Sequence, residues 1–129
     1  MIHVRFKKKG LHMRKIICVF SCCVMSLVAN AGVATWKTTV TDVMVDSTEY
    51  GGCMAKLSSG PADNGLPTCN NNWVSMDCFA NFYSKSDSAN KLSVAQLGYV
   101  TGKPVRLRVR DTYTYNRFYC VVERMDSAQ

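Results

Sequence analysis

Apolar and polar positions alternate in several short stretches, and clusters of Gly, Pro, Asn and Ser separate them. Residues 36–45 (WKTTVTDVMV) are rich in Val and Thr, lack Gly and Pro, and predict a first strand. The alternation slips midway, with Val40 facing one way and Val43 and Val45 the other, so a bulge is expected near Thr41-Asp42. A connection ending in Tyr50-Gly51-Gly52 leads to a second strand, residues 53–58, with Cys53, Ala55 and Leu57 on one face. Residues 59–72 (SGPADNGLPTCNNN) form a turn-rich loop, and residues 73–82 read as a third strand whose Val74, Met76, Cys78 and Ala80 share a side.

Residues 84–90 are polar and read as a loop. Ser93-Val94-Ala95-Gln96 then has the form of a capping box, flanked by a Leu92–Leu97 staple. Gly102 and Pro104 stop the helix, which is expected over residues 94–101 with Val94, Leu97 and Val100 toward the core and Tyr99 off that line. Residues 104–111 (PVRLRVRD) alternate strictly, residues 112–116 (TYTYN) make a hairpin connection, and residues 117–125 form the last strand, burying Phe118, Cys120 and Val122. The order predicts a mainly β fold: a small five-stranded OB-fold-like barrel with one short helix between strands 3 and 4. The other topology compatible with this order is an antiparallel sheet with the helix packed on one face.

The head of the chain has a different character. Residues 1–15 hold six basic side chains, residues 16–28 are a continuous apolar run, and Ala29-Asn30-Ala31 offers small residues to a signal peptidase. These three parts make a secretory signal peptide over residues 1–31, cleaved after Ala31, and place the protein outside the cell or in the periplasm. Thirteen apolar residues are fewer than the ~20 that span a bilayer, so no membrane span is expected. The single domain is then residues 32–129. Of the 16 Lys+Arg only ten remain there, against all nine Asp+Glu, so the basic excess belongs to the leader and the charge argument for nucleic acid lapses. His3 and His12 also leave. Without histidine the domain builds no Ser-His-Asp triad, Cys-His pair or His-ligated zinc site, and no enzyme activity, metal or cofactor is expected.

Four cysteines stay with the domain: Cys53, Cys69, Cys78 and Cys120. An even number in an exported chain reads as two disulfides with three possible connectivities, and no C-x-x-C pair supports zinc. Of the three, Cys53–Cys69 with Cys78–Cys120 is preferred, because the first bridge staples the long loop to the strand that feeds it.

Cys53-Met54-Ala55, Cys69 beyond a loop, Trp73, and the helix running into Tyr99-Val100-Thr101-Gly102-Lys103-Pro104-Val105-Arg106-Leu107 resemble the B subunits of AB5 toxins, nearest to the subtilase-cytotoxin and typhoid-toxin group. The resemblance covers residues 36–111. It implies a secreted OB-fold chain, a bridge of the Cys53–Cys69 kind, a homopentameric ring with helices around a pore, a glycan receptor that includes sialylated sugars, and a partner toxin A subunit. Cys78, Cys120 and the last strand depart from the family's pattern. The family's sugar sites lie near the start of the first strand, which here reads Ala34-Thr35-Trp36-Lys37, without counterparts of its acidic and serine ligands.

Candidate ligand-binding residues are therefore Thr35, Trp36 and Lys37, the stripe beginning Arg106 and Arg108, and the ring-bearing Tyr113 and Tyr115. Guanidinium groups suit planar anions through paired hydrogen bonds. Tyr and Trp rings offer rigid stacking area. Against this, an Arg stripe is also what the solvated face of a half-buried strand looks like. The expected function is a secreted, non-enzymatic binding protein that recognises a host-cell glycan. The alternative is an exported protein-binding module such as an enzyme inhibitor.

Overall fold

The computed structural model describes residues 32–129; the expected signal peptide over residues 1–31, with its cleavage after Ala31, lies outside the described residues. The fold is mainly β. Six strands, β1 (Val33–Thr38), β2 (Val40–Val45), β3 (Cys53–Leu57), β4 (Trp73–Ser75), β5 (Val105–Tyr115) and β6 (Tyr119–Ser127), form one sheet in the order β1-β5-β6-β4-β3-β2. The helix α1 (Lys85–Thr101) connects β4 to β5. Among the described residues no helix is long and apolar enough to cross a membrane.

The expected first strand is split. β1 pairs with β5 and β2 with β3, so one stretch of chain supplies both outer strands of the sheet and turns between them at Thr39. Ser58 holds that turn: its N–H donates to the Thr39 carbonyl at 3.0 Å, and its hydroxyl bonds both Thr38 Oγ1 and Thr39 Oγ1. The expected bulge is present as a register shift between Val40 and Asp42. Six strands in a sheet that does not close therefore replace the expected five-stranded barrel, and the helix follows the fourth strand. The ends of the sheet are β1 and β2, and its two halves are joined by a single parallel pair between β4 and β6, Ser75 with Val121.

The third strand is shorter than expected. β4 ends at Ser75 because Asp77 takes a left-handed backbone (φ 60°) and turns the chain. Asp77 is fully buried, and its carboxylate accepts the N–H groups of Asn81 (3.0 Å), Phe82 (2.9 Å) and Tyr83 (2.8 Å) as well as the Tyr115 hydroxyl. Burial opposes the charge, yet these four donors outweigh it and hold the carboxyl below its ordinary value.

The turn also decides the disulfides. Met76 donates to the Cys53 carbonyl and Phe79 to Gly51, which lays Cys78 on Cys53. The loop before β4 runs beside the β5–β6 turn, with Asn70 donating to Phe118, and this brings Cys69 to Cys120. The bridges are Cys53–Cys78 and Cys69–Cys120, each with Cα atoms 5.5 Å apart, in place of the preferred Cys53–Cys69 and Cys78–Cys120.

The helix begins two and a half turns earlier than expected. Ser84 is the N-cap, accepting from Asp87 N–H, while the Ser93 hydroxyl donates back to the Ala89 carbonyl within the helix. Its C-terminus is where the sequence places it, at left-handed Gly102 (φ 66°). The fully buried face is Ser88, Lys91, Ala95 and Gly98; Val94 packs against the core as expected, whereas Leu97 and Val100 do not. Small residues let the helix approach the sheet closely: a methyl on Gly98 would lie 2.9 Å from Val105 Cγ1. Leu97 and Val100 face outward, at 58% and 80% exposure. At the last hairpin β5 extends through Tyr115, so Tyr113 and Tyr115 are strand residues, and Phe118 is exposed in the turn.

The core lies on one side of the sheet and includes Val40, Ala55, Leu57, Val74, Met76, Val105, Leu107, Val109 and Val122.

Candidate binding site

The opposite, outer face of the sheet carries two distinct surfaces. Register aligns Met44 with Met54 and Met54 with Ser75 across β2, β3 and β4. Met44, Tyr50, Met54, Trp73 and Tyr119 line a shallow saddle of about 210 Å³ there. Methionine thioethers fit irregular gaps beside aromatic rings, which makes this a soft apolar floor with ring walls.

Tyr50 reaches the saddle from a tightly held loop. Asp46 Oδ1 accepts Thr48 N–H (2.7 Å), Thr48 Oγ1–H (2.9 Å) and Glu49 N–H (2.9 Å), and these donors lower its pKa. Gly52 donates to Glu49, Asp46 to Gly52, and the Ser75 hydroxyl to the Tyr50 carbonyl at 2.8 Å. Tyr50, Gly51 and Gly52 are successive left-handed residues, with φ of 57°, 77° and 88°. Glycine adopts this at no steric cost, whereas a tyrosine carries about 1–2 kcal/mol of strain. Gly51 is also required by space, since a Cβ there would collide with the Tyr115 ring and Ser75 Oγ. The strain sets the Tyr50 ring edge-on to Tyr119, with centroids 5.0 Å apart. A hydrogen bond with Glu49, and that group's charge, raise the Tyr50 phenol pKa, so a carboxylate borders the saddle.

The second surface is basic. The β1–β5–β6 register places Lys37 beside Arg106 and Thr35 beside Arg108, with Asp126 and Arg124 on the far side of the same two arginines. Thr35, Arg106, Leu107, Arg108, Arg124 and Asp126 line a cleft of about 130 Å³.

Four of the candidate residues from sequence, Thr35, Lys37, Arg106 and Arg108, thus meet on one face. Trp36 does not join them: it is half-buried against the core, and its indole N–H donates to the Ser59 carbonyl at 2.9 Å. Tyr115 gives its hydroxyl to Asp77, and its own pKa rises through burial and that bond. Tyr113 stacks on Phe82 at 4.9 Å, away from the basic cleft. Of the saddle rings, Trp73 and Tyr119 stand out in the sequence as possible stacking aromatics, whereas Tyr50 does not; its only signal is the Tyr-Gly-Gly run. No family model, curated protein or solved structure matches this chain.

Proposed function

We propose that the protein is an exported, non-enzymatic glycan-binding module, and that a sugar ring sits on the saddle formed by Tyr50, Trp73 and Tyr119. The observation that carries this reading is a strained loop, pinned by at least six hydrogen bonds, that presents one aromatic ring beside two others on the outer face. Strain of this kind persists where the surroundings over-determine it, and it clusters at binding sites. The C–H face of a sugar stacks on such rings, and the Glu49 carboxylate beside Tyr50 can accept a sugar hydroxyl. A phosphate chain would meet Asp46 and Glu49 instead.

The strand order supports the OB-like part of the reading. Taken as one bent strand, β1 and β2 give the order of a five-stranded Greek-key barrel, whose ligands sit on the second and third strands between two loops. β3 and β4, with the Tyr50 loop and the β5–β6 turn, occupy those positions. The ring assembly of toxin B subunits belongs to the same proposal. Leu97, Tyr99 and Val100 make an exposed apolar strip on α1 of the sort that a neighbouring copy covers.

A glycan array probed with the oxidised domain tests the reading, together with light scattering. Binding that Trp73→Ala abolishes, by a particle five times the chain mass, supports both parts. An array without a hit removes the glycan, and a monomer removes the ring.

A further inference from the structure

The arginine stripe is not used by the saddle. We propose that the outer face of β1, β5 and β6 binds the acidic groups of an anionic polysaccharide, with Lys37 and Arg106 as the cations that hold them.

Five cations stand on this face: Lys37 on β1, Arg106, Arg108 and Arg110 on β5, and Arg124 on β6. Two carboxylates answer them. Glu123 sits where the β5–β6 register shifts, and takes Arg108 at 3.1 Å and Arg110 at 3.4 Å. Asp126 grips Arg124 through two bonds of 2.7 and 2.9 Å. Among the described residues Lys37 and Arg106 make no ion pair within 4 Å, although Asp126, held by Arg124, lies across from Arg106 and feels its charge. Both are exposed, and the Thr35 hydroxyl, also exposed, adds a donor at the mouth of the cleft.

A charged sheet surface can simply guard an edge strand against aggregation. That device needs cations on the edge, whereas here they extend two strands inward from β1, onto β5 and β6. The rest of residues 32–129 carries more acid than base, with Asp42, Asp46, Glu49 and Asp63 all outside this face. Charge is therefore segregated, which concentrates positive potential over one surface.

The spacing suits a polymer. Side chains on one face leave β5 about 7 Å apart and stand about 5 Å from those of β1, so Lys37 and Arg106 lie side by side and Arg108 follows along the strand. Tyr83 is the ring that borders Arg110, at the far end of the stripe from Lys37 and Arg106, and the disulfides belong to an oxidising compartment, which points to carbohydrate over nucleic acid.

This inference is independent of the saddle. Its test uses the oxidised full domain at about 150 mM salt, with dextran sulfate, polygalacturonate, uncharged dextran, single-stranded DNA and phosphatidylglycerol vesicles as probes. The domain is expected to bind the two acidic polysaccharides, more weakly as salt rises, and to ignore dextran. Lys37→Ala/Arg106→Ala should weaken that binding about tenfold or more, while Lys37→Arg/Arg106→Lys and Trp73→Ala retain it. Unchanged affinity in the alanine pair overturns the proposal. So does equally tight binding of the vesicles or the DNA, which would assign the face to another anion.

Discussion

Lys91 Nζ donates to the carbonyl oxygen of Val122 at 2.7 Å, at the point where the ladder between β4 and β6 has already stopped. The helix packs against β6 and β2, and the ammonium group, almost wholly buried, lies 4.2 Å from the centre of the Tyr83 ring. One amine thus ties the helix to a carbonyl of β6. Lys91→Met keeps the stem but removes this buried hydrogen bond, and should cost about 1–3 kcal/mol in urea unfolding. Burial lowers the folded amine's pKa from 10.5, against the pull of Asp77, Asp87 and Glu123. Between the lowered value and 10.5 the unfolded chain binds more protons, so this residue makes stability rise with pH. Subtracting the Lys91→Met profile from the wild-type profile should expose that rise.

Asp77 gives the opposite end of the pH scale. Its carboxyl is held below the ordinary 3.8 in the fold, so its contribution is complete above that pH and disappears as pH falls through the folded value. Asp77→Asn tolerates the same left-handed backbone but turns an amide toward backbone donors. Stability at pH 7 should drop by about 2 kcal/mol. The acid arm of the stability curve should flatten, as read by thermal unfolding from pH 2 to 7.

The disulfides can be assigned directly. Cleavage at lysine and arginine, combined with cyanogen bromide at Met76, separates all four cysteines. Unreduced digests should contain the 53–78 and 69–120 pairs, and a 53–69 pair would contradict the fold. In the chain-entropy account, loops of 25 and 51 residues are worth about 3.5 and about 4 kcal/mol, so removing either bridge should be strongly destabilising.

Tyr50 separates strain from packing. Tyr50→Gly relieves the left-handed φ while removing a ring that touches Tyr119. The two effects are of similar size and opposite sign, so stability should change by less than about 1 kcal/mol. Sugar affinity should nevertheless fall about tenfold, because the ring's role is in the ligand complex. A loss of stability with intact binding would make Tyr50 structural.

Local chemistry was legible wherever one residue type decides the backbone. The bulge after Val40, the stop at Gly102 and the inward Val105, Leu107 and Val109 all follow from the pattern. The start of the helix was not. Residues 84–90 read as a polar loop and Ser93 as the cap, and that Ser84 caps the helix instead depends on where Asp77 turns the chain. Its inner face was hidden because Ser88, Ala95, Gly98 and an amine line it, while apolar Leu97 and Val100 remain outside. Cysteine pairing was equally remote from spacing, since the turn at Asp77 and the Asn70–Phe118 contact choose the partners. Of the candidate site, register alone gathers Thr35, Lys37, Arg106 and Arg108. The saddle needs a Tyr50 conformation that sequence does not announce.

The most direct measurement is the fluorescence of Trp73 in a Trp36→Phe protein, where it is the only tryptophan. Glycans that bind on the array should shift or quench its emission in a saturable way, with the same affinity as the array reports. Glycan binding that leaves Trp73 emission unchanged would contradict a sugar site on the saddle.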